Sequence, residues 1–196
     1  MVIGSVCPIC GERECYRMIT PYHRYGIDLF PEWRKEKIPI ARFLCQKRWR
    51  TFSLLPIQLI PYVQYTVAAV VGTLLIGLGC WEAGKHGFCG AAIEVDQNSC
   101  VTPWLVFCWL QMALSGLRRS HRVLNRWYNL TFMSSSALTN GWEEVRGYFQ
   151  AFGWEKDSPW KEICEVVRRC NQASRQFLFG TPSQQRKRQG IASPAP

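Results

Sequence analysis

Several kinds of active site are missing from this sequence. The glycines at 72, 77 and 79 stand in an apolar run, without the lysine or serine that a phosphate-binding loop requires. No set of separated carboxylates is placed for a two-metal nuclease. We therefore predict a protein that is not an enzyme and that takes no small-molecule substrate.

The features of a secreted protein are missing as well. Residues 1–15 contain neither the basic beginning nor the apolar run of a signal peptide. We therefore expect a cytoplasmic protein. In a reducing compartment, cysteines are metal ligands or small buried groups more often than disulfides, and this chain has 10 of them.

Charge is distributed unevenly along the 196 residues. The formal net charge is +10, to which residues 1–58 contribute +5, residues 59–117 contribute −2 and residues 118–196 contribute +7. A charge this positive favours a polyanionic partner, either nucleic acid or an acidic membrane face. Two basic regions thus flank a middle that is almost uncharged.

The order of local patterns predicts an α+β protein, with a small zinc-ribbon-like β module followed by an all-α helical domain. Residues 1–58 form the predicted module, because they are rich in arginine, aromatic and turn residues and hold β-prone stretches at 38–43 and 50–53. Residues 59–179 form the helical domain. Residues 180–196 are polar and contain three prolines, so they predict a disordered basic tail.

Cap signals and apolar runs place the helices within the second region. Thr102 offers a capping hydroxyl, and Pro103 suits the first position of a helix. The resulting predictions are a helix that Pro61 opens and that covers 63–79, a loop over 82–99, a helix over 103–129 with a break at Ser115-Gly116, and helices over 142–152 and from 159 to Gly180.

A cysteine knuckle is the sharpest local motif. Cys7 and Cys10 are separated by two residues, which places both thiols on one side of a tight turn, and Gly11 permits the positive φ that such a turn needs. Tetrahedral zinc requires a second pair of ligands. Cys45 provides one, but Arg48 stands where the other cysteine of that pair is expected.

The fourth ligand has two candidates. Cys15 lies so close to Cys10 that the intervening loop is expected to be strained, whereas an imidazole from His23 is acceptable to zinc. The alternative is a ribbon that folds without metal around Trp33, Trp49, Phe43 and Phe52. The predicted site is a structural zinc ion held by Cys7, Cys10, Cys45 and His23.

Several short motifs in the first third of the chain resemble a known group of proteins. The pieces are CPICG at 7–11, YHRY at 22–25, RFLC at 42–45, RTFSLLP at 50–56 and PY at 61–62. Together they resemble the ribbon-plus-helix-turn-helix heads of bacterial insertion-sequence transposases, and related stand-alone proteins of unknown function. Arg48 departs from the group's fourth cysteine. The resemblance implies a DNA-binding accessory module of a mobile element, with a transposase as a possible partner, and it brings no nuclease with it.

A stripe of arginines predicts where nucleic acid is held. Arg118, Arg122 and Arg126 lie four residues apart, so they share one face of a helix, and a basic stripe of this kind can contact phosphates. A solvated helix face is the plainer interpretation, although Arg168-Arg169 and nearby aromatic residues favour binding. The predicted nucleic-acid contacts are Arg48, Arg50, Arg118, Arg119, Arg122 and Arg126.

A helix-turn-helix within residues 82–114 is a weaker hypothesis. Its second helix would begin at Pro103 and present Thr102, Trp104 and Phe107 to the DNA. Base edges are usually read by arginine, lysine, asparagine or glutamine, so these residues are poor candidates for specific recognition.

The uncharged middle leaves a membrane hairpin as the alternative. No charged residue occurs within 51–81 or 97–117, and the basic flanks match the positive-inside rule for two spanning helices with a cytoplasmic ribbon head. The second apolar stretch is nearer the length of a buried core helix. A membrane is therefore the less favoured partner.

Overall fold

A computed structural model describes residues 6–95, 100–130, 140–153, 159–174 and 177–180. The chain forms an antiparallel sheet and then a group of helices, so the α+β prediction is confirmed at that level. The elements are β1 (Tyr16–Asp28), β2 (Arg34–Cys45), β3 (Arg50–Leu54), α1 (Val67–Glu82), α2 (Gly87–Glu94), α3 (Pro103–Tyr128), α4 (Gly141–Ala151) and α5 (Pro159–Ser174).

The sheet is a long hairpin with a short third strand, in the order β1-β2-β3. Both β-prone stretches lie in strands, but β2 is twice as long as its stretch, and β1 was not predicted. Most side chains of β1 and β2 are exposed, so neither strand shows the alternation of apolar and polar residues that marks a half-buried strand. The two strands are held by hydrogen bonds to each other and not by burial of one face.

The two ends of the hairpin lie in different environments. At the start of β1, Tyr16 pairs with Cys45 of β2, close to a cluster of buried cysteines. At the other end, Ile27 and Leu29 join the core of the helices. The Ile27 backbone N–H donates to the carbonyl oxygen of Gln64 at 2.8 Å, which ties the hairpin to the segment before α1.

That segment explains why α1 begins later than predicted. Pro61 does not open the helix, because the residues after it are bound to β1 instead: the Thr66 backbone N–H donates to the Ile27 carbonyl at 3.0 Å. The Thr66 hydroxyl then caps α1 by accepting from the Ala69 backbone N–H at 3.1 Å, and it donates to Asp28. The apolar run of α1 packs into the helical core.

The predicted loop over 82–99 contains a helix, α2. Its sequence has two glycines in eight residues and a weak helix propensity. Packing compensates, because Gly77 of α1 and Gly87 of α2 let the two backbones approach beside Trp142, where a Cβ on either glycine would overlap its neighbours. Such contacts between distant backbones leave no pattern in the local sequence, so α2 was not predicted.

The prediction for α3 is confirmed at both ends. The Thr102 hydroxyl accepts from the Leu105 backbone N–H at 3.2 Å, Pro103 is the first helical residue, and Asn129 ends the helix with φ +45°. The expected break at Ser115-Gly116 is wrong, since the helix is continuous. Gly116 instead provides room for a neighbouring backbone, because a Cβ there would overlap the carbonyl oxygen of Leu178.

The last two helices begin close to the predicted positions, but α5 ends at Ser174 rather than at Gly180. Leu178 and Phe179 then fold back into the core, and the Leu178 backbone N–H donates to the side-chain oxygen of buried Asn171. The α4 cap is the side chain of Asn140. The predicted tail, apart from Gly180, lies outside the described residues.

The helix-turn-helix hypothesis stays a prediction, because residues 96–99 between α2 and α3 lie outside the described residues. Trp104, 71% exposed, stacks on Phe107. Among the residues that the structure describes, no helix has both the length and the apolar character required to cross a membrane, so neither α1 nor α3 provides the spanning helix of the hairpin alternative.

Candidate metal centre

Four cysteine side chains converge at one end of the sheet. The sulfur atoms of Cys7, Cys10, Cys15 and Cys45 all lie within 4.8 Å of one another. The Cys10 and Cys15 sulfurs are 2.9 Å apart, and those of Cys15 and Cys45 are 3.9 Å apart. Four thiols at these distances are close enough to hold a metal ion.

The first two cysteines are held by the predicted knuckle. The Gly11 backbone N–H donates to the Cys7 carbonyl at 2.9 Å, and the Cys7 N–H donates to the Glu12 carbonyl at 2.8 Å. Gly11 has φ +79°, so the expected positive φ is confirmed. This closed turn points the thiols of Cys7 and Cys10 to the same side.

Cys15 takes the fourth position, and the register of the sheet delivers it there. It directly precedes Tyr16, which pairs with Cys45, and its carbonyl accepts from the Gln46 backbone N–H at 2.8 Å. Between Cys10 and Cys15 the chain turns through Glu14, which has φ +54°. Glu14 thus occupies a conformation that is uncommon for residues other than glycine.

His23 is not brought to this cluster. It is exposed in the middle of β1, opposite Pro39. A strand rises about 3.3 Å per residue, so eight residues of chain separate His23 from Cys15 by roughly 25 Å. The predicted ligand set of three cysteines and His23 is therefore corrected to four cysteines, and Cys15 replaces the residue missing at Arg48.

Burial distinguishes this cluster from a chance surface grouping. Cys7, Cys15 and Cys45 are buried, and Cys10 is half-buried. On one side pack the rings of Tyr16, Phe43 and Phe52, with Phe43 and Phe52 stacked at a centroid distance of 5.4 Å. Two of the four aromatic residues suggested for a metal-free ribbon, Phe43 and Phe52, lie here, whereas Trp33 and Trp49 are exposed.

Hydrogen bonds shift the pKa values of the Cys7 and Cys15 thiols in opposite directions. Burial raises the pKa of Cys7, but the backbone N–H groups of Cys10 and Ile9, together with the thiols of Cys15 and Cys10, outweigh it and lower that pKa to about 7. The pKa of Cys15 is raised, chiefly by its hydrogen bond to Cys10 and by burial. The Glu12 carboxylate raises the pKa of Lys47, and the cysteines Cys10 and Cys15 add to this effect.

The donor set fits a tetrahedral ion. Zinc–sulfur bonds of about 2.3 Å place the sulfurs of a tetrahedral site roughly 3.8 Å apart. The separation of Cys15 and Cys45 is close to that value, and the Cys10–Cys15 separation needs to open by about 1 Å. Four thiolates leave no coordination position for a substrate, which is the arrangement of a structural site.

The arginine stripe of α3 divides into two parts. Arg118 binds Glu144 with two hydrogen bonds, one from Nε at 2.8 Å, and the Glu144 side chain is only 1% exposed. Arg119 donates to the Ser115 hydroxyl and to the carbonyl of Leu178. Both guanidinium groups therefore hold the helical body together.

The other predicted contacts remain exposed. The side chains of Arg122 and Arg126 on α3 have neither a hydrogen bond nor an ion pair among the described residues, and the same holds for the side chains of Arg48 and Arg50 beside the cysteine cluster. Close to the end of α3, the Arg169 guanidinium lies 5.3 Å from the ring centre of Trp127. The structure thus leaves two separate pairs of arginines facing solvent.

Comparison with models of protein families, with curated proteins and with solved structures finds no match to this chain. The resemblance to transposase-associated ribbons therefore stays a prediction from residues 7–62.

Proposed function

We propose that this protein is a non-catalytic DNA-binding protein whose N-terminal sheet is stabilised by one zinc ion on Cys7, Cys10, Cys15 and Cys45. Zinc is the usual ion for four buried thiolates in tetrahedral geometry. Its contribution is structural, since it links the knuckle, the start of β1 and the end of β2. The burial and all-sulfur composition of the cluster support this assignment.

The observation that carries DNA binding is the exposed pair Arg122 and Arg126. The two residues are one helical turn apart on α3, and no described acidic residue pairs with either of them. Unpaired arginines on one helix face can each neutralise a phosphate and release a counterion. Next to Arg126 in the sequence of α3, Trp127 has the Arg169 guanidinium 5.3 Å from its ring centre.

The setting follows from the resemblance in the first third of the chain. We propose a cytoplasmic role as an accessory protein of a bacterial mobile element, with a transposase as the protein partner. The net charge of +10 is consistent with a nucleic-acid partner and favours contacts that depend on charge rather than on sequence.

DNA binding is tested by titrating zinc-loaded protein into labelled duplex at several salt concentrations and following fluorescence anisotropy. We expect the logarithm of the affinity to fall linearly with the logarithm of salt concentration. The double variant Arg122→Gln/Arg126→Gln is expected to reduce that slope by about 1.8, because each lost phosphate contact removes about 0.9.

The matched control is Lys37→Gln/Lys85→Gln, which removes the same charge from exposed positions on β2 and after α1. It should leave the slope nearly unchanged. Equal effects of the two double variants would show that overall charge, rather than this face of α3, attracts the DNA. An absence of binding at low salt would refute the proposed function.

A further inference from the structure

The turn between β2 and β3 presents a tryptophan to solvent. Trp49 is 76% exposed, although a large indole is normally at least partly covered in a folded protein. It lies between Arg48 and Arg50, which are exposed and have no hydrogen-bonding or ionic partner among the described residues. An uncovered aromatic ring between two unpaired cations is a surface that suits an aromatic, anionic ligand.

The backbone of this turn is held in place from both sides. Trp49 has φ +51°, a conformation that bulky side chains rarely adopt. Cys45 at the start of the turn belongs to the cysteine cluster, and it pairs with Arg50 at the end. The Gln46 backbone N–H is bound to the Cys15 carbonyl. The cluster therefore fixes the position from which Trp49 projects.

We propose that Trp49 is a stacking platform for an unpaired DNA base, and that Arg48 and Arg50 bind the phosphates on either side of that base. The inference rests on the proposed DNA binding and names its substrate as duplex with a single-stranded segment or end. Aromatic side chains stack on any base, and flanking arginines add contacts to the backbone.

The chemistry of the indole ring explains why the base must be unpaired. An indole has one N–H donor, so it cannot make the paired hydrogen bonds by which side chains read base edges in the major groove. Its large face stacks well on another exposed π face. In a duplex these faces are covered by neighbouring bases, whereas a single strand or a frayed end offers them.

The test compares a blunt duplex with the same duplex carrying a single-stranded overhang, by anisotropy, on zinc-loaded protein. The variants are Trp49→Asn, Trp49→Phe and the control Trp104→Ala, whose tryptophan is 71% exposed on α3. Asparagine tolerates the left-handed backbone of the turn, so Trp49→Asn removes the ring without adding strain. Zinc content and circular dichroism are measured for each variant.

We expect Trp49→Asn to weaken overhang binding by at least about fivefold and to leave the blunt duplex almost unaffected. Trp49→Phe should retain most of the preference, and Trp104→Ala should match the original protein. Equal binding of both DNAs by the original protein, with its salt dependence intact, would overturn this inference and leave the proposed function standing.

Three further outcomes would each overturn the stacking proposal. If the original protein binds neither DNA, both proposals fail. If Trp49→Asn loses zinc, the residue serves the fold of the turn and the stacking role is overturned. A Trp49-dependent preference for the corresponding RNA strand alone, or for an acidic peptide, would transfer the site to that other partner and refute the DNA assignment.

Discussion

At the scale of single residues, the fourth cysteine of the cluster could not be identified from its spacing in the sequence. The Cys7–Cys10 knuckle and Cys45 are recognisable from sequence because a local turn determines what a Cys-x-x-Cys pair can do. Cys15 joins the cluster through the register that places Tyr16 opposite Cys45. Nothing in the local sequence specifies that register, so His23 and Cys15 could not be distinguished.

Cys15→Ser is expected to reduce zinc affinity more than the roughly 10- to 100-fold that loss of an outer-shell partner costs, because it removes a direct ligand. The measurement is metal content after dialysis against a competing chelator. His23→Ala should retain a full equivalent of zinc. Loss of the metal from His23→Ala, with the metal retained by Cys15→Ser, would contradict the four-cysteine site.

The arginines of α3 likewise show that the sequence does not reveal which charged side chains are paired. Arg118, Arg122 and Arg126 share one face of α3, yet among the described residues Arg118 is paired and the other two are not. Arg118 neutralises the buried carboxylate of Glu144, and a buried charge without such a partner is strongly unfavourable. The pairing depends on how α4 packs against α3, which charge patterning along the chain does not reveal.

At the scale of elements, helix ends were predictable where a side chain makes them. The caps at Thr102, Asn129 and Asn140 are local, and each ends or begins a helix in the structure at the predicted place or within two residues of it. α2 and the early end of α5 were missed. α2 depends on a contact between distant segments, through Gly87 and Gly77, and the residues after α5 contact Gly116 and Arg119 of α3.

Gly116→Ala should destabilise the protein by about 1–3 kcal/mol, even though alanine is the better helix former. The added methyl group would overlap the Leu178 carbonyl oxygen and displace the segment that packs after α5. Urea unfolding measures the change in the free energy of unfolding.

Gly79→Ala is the matched control within α1, because a Cβ there meets no atom within 4 Å. Helix propensity alone should then stabilise the protein, by up to about 1 kcal/mol. A stabilising Gly116→Ala of similar size would show that the segment around Leu178 does not pack against α3 as described.

At the scale of the whole molecule, two buried clusters share one hairpin. The cysteine and aromatic cluster lies at the start of β1, and the much larger helical core includes Ile27 and Leu29 near its end. The middle of the hairpin is largely exposed. With zinc bound as proposed, we expect order in the small cysteine cluster to depend on the metal, whereas the helices have an extensive core of their own.

Chelation of the metal should consequently affect the two parts differently. We expect the far-ultraviolet circular dichroism of the helices to be largely retained after treatment with a strong chelator. Limited proteolysis should become faster at residues 46–50, because the cysteine cluster no longer holds that turn. Addition of zinc should restore protection. Loss of most of the helical signal would show instead that the metal supports the entire fold.

What the sequence determined by itself was local: the knuckle at Cys7 and Cys10, the cap at Thr102, the β tendency of residues 38–43 and the excess of positive charge. Each follows from residues that are neighbours along the chain. Tertiary structure alone decided the long β1, the choice of Cys15 over His23, the helix α2 and which arginines lack a partner within the described part of the chain. These outcomes depend on strand register and on backbone contacts between distant segments, which no local pattern records.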